Sequence, residues 1–279
     1  LDGFSDEWVR EALLDGADAN TRTKYSKQVY SVNENIEGGL LHVLTVNAIE
    51  NISSYNIDVT VDTIKQLKSF GIDVNQVDVE PDKNLSSGST ALHYACNSIV
   101  NDEAPQAGIR PAIVKALLDS GIDVNKQDSR GETALHRLAQ YPSGEPSLQQ
   151  EDVSLARLLL SHGADVSIKN NSEQTVIDYT EEEDEVIYDP VMLDVLMRAT
   201  EKREDFIQAV KEGNVESVKQ FLQQGAPVNT KFEDEDEGEE DDYFCPLHTS
   251  ASKGDLDITR LLIDNGADVN AKEDDMGRS

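Results

Sequence analysis

Apolar residues along the chain recur at helical spacing in short runs, and each run ends in a glycine. Ile113, Val114, Leu117 and Leu118 form one such face, Leu155, Leu158 and Leu159 a second, and Ile258, Leu261 and Leu262 a third. Positions three or four apart share one side of a helix, so each run predicts an amphipathic helix. The glycine is the stop, where the chain must take positive φ. After it come a small or aliphatic residue that can pack back on the helix end, then Asp, another such residue, and Asn. The phrase stands at "LLDGADAN" (Leu13 to Asn20), "LKSFGIDVN" (Leu67 to Asn75), "LLDSGIDVN" (Leu117 to Asn125) and "LLIDNGADVN" (Leu261 to Asn270). "LLLSHGADVS" and "FLQQGAPVN" are near copies.

A second phrase follows each gap: "GSTALHYAC" (Gly88 to Cys96), "GETALHRLA" (Gly131 to Ala139) and "CPLHTSA" (Cys245 to Ala251), with worn versions at "GGLLHVL" and "QTVIDYT". Thr90 and Thr133 stand where a helix begins, with a hydroxyl for its free amide donors. His93 and His136 come three positions later. From there a ring nitrogen can reach back to the cap, as the Glu of a capping box does. Leu92 and Leu135 enter the core, while Ala95 and Ala139 let a paired helix approach closely.

The unit is therefore helix, short turn, helix, glycine stop, extended turn, next helix. In these two alternating phrases the chain resembles the ankyrin repeat family, whose signature is T-P-L-H-x-A at a period of about 33 residues. The resemblance covers nearly the whole chain. It implies an all-α fold: a solenoid of stacked helix pairs with short extended turns. The glycine-to-glycine spacings are 55, 50, 42, 62 and 41, so long inter-repeat insertions are expected. Candidate insertions are residues 21–37, 50–58, 76–87, 101–110, 142–151 and 232–243. The longest spacing holds two helix pairs. One is expected to end in "VMLDVLMRAT" and the next to open at Arg203. This places repeats over 1–200, the first of them partial, and further repeats over 203–279, either as one kinked stack or as two blocks with a hinge near 198–204. Both ends read as cut within a repeat, with Ser279 standing at a cap position.

Composition narrows the function classes. Aromatics are 5% and apolar residues 38% of the chain, which suits a thin, elongated core. The net charge is −31, from 55 Asp and Glu against 24 Lys and Arg. A field of that sign repels nucleic acid and anionic lipid, and it favours a basic protein as partner if it favours any. Cys96 and Cys245 are isolated, which fits a reducing compartment. A cytoplasmic or nuclear location is expected. No apolar run is long enough to span a membrane.

Candidate chemistry is sparse. His42, His93, His136 and His248 occupy the same place in the repeat. Neighbouring repeats lie roughly 10 Å apart, too far for two of these rings to share a zinc ion at bond lengths of about 2 Å. They read as corner fasteners. His162 precedes a glycine stop and can cap a helix end or face solvent. The run "EDEDEGEEDD" (Glu233 to Asp242) has nine acids in ten residues. Its spacing does not match a calcium loop. A solvated insertion or a dock for a basic segment remain open. "EEEDE" (Glu181 to Glu185) reads likewise. There is no phosphate loop, nucleophile elbow or H-E-x-x-H, so neither cofactor nor catalysis is expected within this chain.

In the resembled family, turn tips and first helices form a concave face that binds proteins. Carried onto this chain, those positions are Ser87, Ser89, Asn97 and Ser98; Gln127, Ser129, Arg130, Glu132, Gln140 and Tyr141; Lys169, Asn171, Ser172 and Gln174; and Phe244, Ser252 and Lys253. Arg130 and Tyr141 are the expected anchors, because Arg and aromatic side chains tend to dominate interfaces. The expected function is a protein-binding module. The alternative is the recruiting segment of a larger enzyme whose catalytic part lies outside this chain. Irregular loops between worn repeats are similar in style to the ankyrin-repeat effectors of intracellular bacteria, with a eukaryotic scaffold as the rival source.

Overall fold

The computed structural model describes residues 15, 18, 20, 23–29, 32–50, 57–79, 88–97, 108–140, 146–180, 190–233 and 243–271. In chain order the elements are β1 (Thr23–Val29), β2 (Val32–Gly38), α1 (Leu40–Glu50), α2 (Ile57–Leu67), α3 (Ala91–Cys96), α4 (Ile109–Asp119), α5 (Ala134–Gln140), α6 (Pro146–Ser161), α7 (Pro190–Lys211), α8 (Val215–Gln223), β3 (Phe232–Glu233), β4 (Tyr243–Phe244), α9 (Pro246–Ser252) and α10 (Leu256–Asp264). Short 3-10 turns cover Lys68–Phe70 and Asp178–Thr180. The chain divides into two compact units. Unit 1 comprises Leu1–Leu158 and Ile168–Leu193, and unit 2 comprises Leu159–Ser167 and Asp194–Ser279.

In unit 1 the first helices of successive repeats, α1, α3 and α5, pack in one row, and α2 and α4 pack against each other in a second. Leu44, Ile64, Leu67, Leu92, Ile113, Leu117, Leu135 and Leu138 fill the space between and are fully buried. Ala95 and Ala139 are buried too, as the close approach of a short helix requires. Unit 2 has its own core of Phe206, Val210, Val218, Ile258 and Leu262, with Phe221 and Leu247 packed against it. The Phe206 and Phe221 rings meet edge-on at 6.4 Å.

The glycine stops act as the pattern requires. Gly121 has φ 85°, and the chain doubles back so that the Ile122 N–H reaches the Leu117 carbonyl, tying off the last turn of α4. Ile122 then folds under the helix end and is buried, as are Ile72, Ala164 and Ala267 at the same position. Each Asp of the Asp-x-Asn phrase accepts the N–H two residues on, from Asp73 to Asn75, from Asp123 to Asn125 and from Asp268 to Asn270. Three Asn residues at the end of this phrase then reach into the following repeat. Asn20 takes the Asp73 N–H and gives to the Gly71 carbonyl. Asn75 takes the Asp123 N–H, and Asn229 takes the Asp268 N–H and gives to the Gly266 carbonyl.

Four expectations need correction. The helix expected to end near residue 200 does not end there. α7 runs unbroken from Pro190 to Lys211, because nothing in "RATEKRED" stops a helix. Residues 146–151, expected in an insertion, are the opening turns of α6, which starts on a proline fit for the first helical position. Residues 109–110 and 57–58 likewise begin α4 and α2. The insertion over 21–37 contains an antiparallel hairpin, paired from Thr23↔Gly38 to Val29↔Val32. Its β-forming residues Thr23, Tyr25, Val29, Val32 and Ile36 carried that signal. A second ladder, Phe232↔Phe244 and Glu233↔Tyr243, lies at the ends of the insertion over 232–243. Residues 234–242 and 181–189, with most of both acidic runs, lie outside the described residues.

Candidate binding surface

The corner of each repeat is built around one imidazole. His93 Nδ1 accepts the Thr90 N–H at 3.1 Å, and His136 Nδ1 accepts the Thr133 N–H at 3.2 Å. His42 does the same for Gly39 at 3.2 Å and His248 for Cys245 at 3.3 Å. The opposite nitrogen points across to the next turn. Nε2 lies 2.9 Å from the Ser89 carbonyl for His42, 3.0 Å from that of Glu132 for His93, 3.3 Å from that of Gln174 for His136, and 3.0 Å from that of Ala271 for His248. A carbonyl can only accept, so Nε2 is the donating nitrogen of each ring while Nδ1 accepts. Burial pushes His93 down to about 4 and lowers His136 as well. In the worn repeat Asp178 takes the same place, accepting the Thr175 hydroxyl at 2.8 Å.

The residue after each of these completes a second layer. Tyr94, Arg137 and Tyr179 reach down to the base of the turn, to Asp78, Asp128 and Asn170 respectively. Asp128 Oδ1 takes the N–H groups of Arg130 and Glu132, and Asn170 Oδ1 those of Ser172 and Gln174. Glu132 pairs with Arg137 at 3.1 Å and accepts the Tyr179 hydroxyl at 2.8 Å. Burial, with Glu132 beside it, raises Tyr179 to about 12. This layer was not anticipated. Its trace in the sequence is an Asp or Asn five residues before Thr133 and Thr175.

These contacts sort the expected binding positions. Ser89, Glu132 and Gln174 all stand just before the cap, and the fold uses all three internally. Ser89 and Glu132 are buried, so neither is free to meet a partner. Their carbonyls receive the imidazole of the preceding repeat, and Gln174 is half-buried in the same role. Asn97 and Gln140 are half-buried at the ends of α3 and α5. Ser87, Ser98 and Tyr141 lie outside the described residues.

The exposed positions of unit 1 gather on two adjoining turn tips. Gln127, Ser129 and Arg130 are on one, and Lys169, Asn171 and Ser172 are on the other. The tips are joined at three points. Gln127 Nε2 donates to the Lys169 carbonyl at 3.0 Å, the Asn171 N–H to the Arg130 carbonyl at 2.9 Å, and Asn171 Nδ2 to the Ser129 carbonyl at 2.9 Å. Gly131, with φ 75°, sits so close to Asn171 that a Cβ there would lie 2.7 Å from its backbone nitrogen. In unit 2, Phe244 is half-buried in β4, and Lys253 is exposed with Nζ on the Lys211 carbonyl at 2.7 Å. Ser252 is exposed and turned back onto the Thr249 carbonyl at 3.0 Å.

Among the described residues, no group of three or more His, Cys, Asp and Glu is placed to hold a metal ion, and no helix is long and apolar enough to cross a membrane. The family profile described as ankyrin repeats (3 copies) matches residues 51–170 and 206–279. An ankyrin repeat protein of Fowlpox virus is 27% identical over 180 residues, 61% of this chain and 36% of its own length. The fem-1 homolog of Drosophila melanogaster is 37% identical over 93 residues, 31% of this chain and 12% of its own length. An ankyrin repeat protein of Rickettsia felis is 31% identical over 90 residues, 32% of this chain and 34% of its own length. The chain thus spans little more than a third of the length of these relatives at most.

Proposed function

The chain belongs to the ankyrin repeat family, and from that premise we propose that it binds a protein partner through the turn tips and first helices of its concave side. Ankyrin repeats are in general protein–protein interaction modules without catalytic activity of their own. One observation carries the reading here: the exposed side chains of Gln127, Ser129, Arg130, Lys169, Asn171 and Ser172 stand on tips fastened at three points. A surface ordered beforehand loses little entropy when a partner docks, so more of the contact energy appears as affinity.

The test is capture from lysate with the whole chain and with Arg130→Ala plus Lys169→Ala, quantified by mass spectrometry. At least one captured protein is expected to fall about tenfold, with the melting temperature of the chain unchanged. Equal recovery of every protein would dismiss this surface. A second reading draws on the short share of each relative that the chain covers. In it the chain is the recruiting segment of a longer enzyme, and catalysis should appear only when flanking sequence is included. For the setting we propose an effector acting in the cytoplasm or nucleus of a host cell, with a eukaryotic scaffold as the rival. Immunofluorescence of infected cells separates the two.

A further inference from the structure

We infer that the joined tips of unit 1 dock an acidic peptide segment of that partner, through Lys126, Arg130 and Lys169; the inference rests on the tips being the binding surface. In sequence the stretch "KQDSRGE" from Lys126 to Glu132 is charge-balanced, with two cations and two carboxylates. The fold separates them. Asp128 is turned inward against Arg137, and its other oxygen holds the N–H groups of Arg130 and Glu132. Glu132 is buried between Arg137 and Tyr179. Both carboxylates are thereby turned inside the repeat, where they share the single positive charge of Arg137, while Lys126 and Arg130 remain exposed.

The neighbouring tip adds exposed Lys169, whose ammonium has Glu173 at 3.5 Å as an open, solvated partner. Outward-facing charge over residues 126–130 and 169–173 is thus three cations against one acid, in a chain where acids outnumber bases 55 to 24. Arg130 and Lys126 have no carboxylate partner among the described residues. The nearest other exposed acid in sequence, Asp123, is engaged by the Asn125 N–H in its own turn.

The chemistry suits carboxylates. A guanidinium can fork one carboxylate with two parallel bonds, and each ammonium group acts as a point charge. The Ser129 and Ser172 hydroxyls, both exposed, add neutral donors. The net −31 acts differently. It works at long range and is screened over about 8–10 Å at ordinary salt, so the groups at the contact decide what touches the tips. Total charge favours a basic partner at a distance, whereas the tips select an acidic segment on contact.

The test uses the whole chain and two fluorescent twelve-residue peptides that differ only in Glu or Gln at alternate positions. By anisotropy at low salt, the Glu peptide is expected to bind about tenfold or more tighter than the Gln peptide, since three exposed charge pairs contribute at most about 1 kcal/mol each. Lys126→Glu with Arg130→Glu and Lys169→Glu should abolish that preference, with circular dichroism showing the fold intact. Equal affinity for the two peptides, or a preference that survives the charge reversal, overturns the inference. If the peptides bind alike while the lysate partner is still lost in the Ala variant, the surface stands and its charge selectivity falls. If the lysate partner is retained, the surface itself falls.

Discussion

At the scale of single residues, the corner histidines do more than cap. Each accepts one backbone proton within its own repeat and donates another to the turn that follows, so one side chain holds a helix start and a repeat junction together. His136→Ala leaves the Thr133 N–H and the Gln174 carbonyl without these partners. It should cost about 2–3 kcal/mol by urea denaturation. His93 also makes stability depend on pH. A folded pKa of about 4 for His93, against about 6.5 unfolded, means the unfolded chain binds more protons between those values. The contribution is complete above pH 6.5 and is lost as pH falls towards 4, by roughly 2–4 kcal/mol. Asp78, raised by burial, works in the opposite sense at the acid end. On going from pH 7 to 4, His93→Gln should retain more of its unfolding free energy than the parent chain. The histidine positions and the reach of Nδ1 were readable, because three residues is the capping-box spacing. The partner of Nε2 was not, because it belongs to another repeat.

At the scale of elements, the helices were legible wherever a glycine ended an apolar face. They were misplaced where the reading leaned on repeat period instead of on stop signals, as at α6 and α7. Buried polar groups inside elements were missed. Arg110, within a stretch read as insertion, lies under the first turn of α4 and is fully buried, with Asp152 at 2.7 Å and Glu151 at 3.5 Å from α6. Arg110→Ala strands the buried Asp152 carboxylate and is expected to cost about 3–5 kcal/mol by chemical denaturation. Arg110→Met with Asp152→Leu should recover most of that. The joined tips make a second prediction. Gly131→Ala puts a Cβ 2.7 Å from the Asn171 nitrogen at a φ of 75°. It should destabilise by roughly 2–3 kcal/mol, since a left-handed alanine alone costs about 1–2, and it should also weaken the lysate partner of Arg130.

At the scale of the whole molecule, charge dominates. With −31 on 279 residues, self-repulsion opposes the compact state. Raising sodium chloride from about 10 mM to about 500 mM shortens the screening length from roughly 30 Å to under 5 Å, and should raise the melting temperature by several degrees. A flat or falling melting temperature would mean that ion pairs outweigh repulsion. By itself the sequence determined the repeat, its helix pairs, its glycine stops and its histidine corners. These are local matters of spacing, cap chemistry and permitted φ, each complete within a few residues of chain. Only the tertiary structure decided which polar side chains face water. Ser89, Asp128 and Glu132 look as free in sequence as Ser129 and Arg130 do. The partners that turn them inward come from helices and turns brought alongside by folding, and that sorting leaves three cations outermost on the tips of an acidic protein.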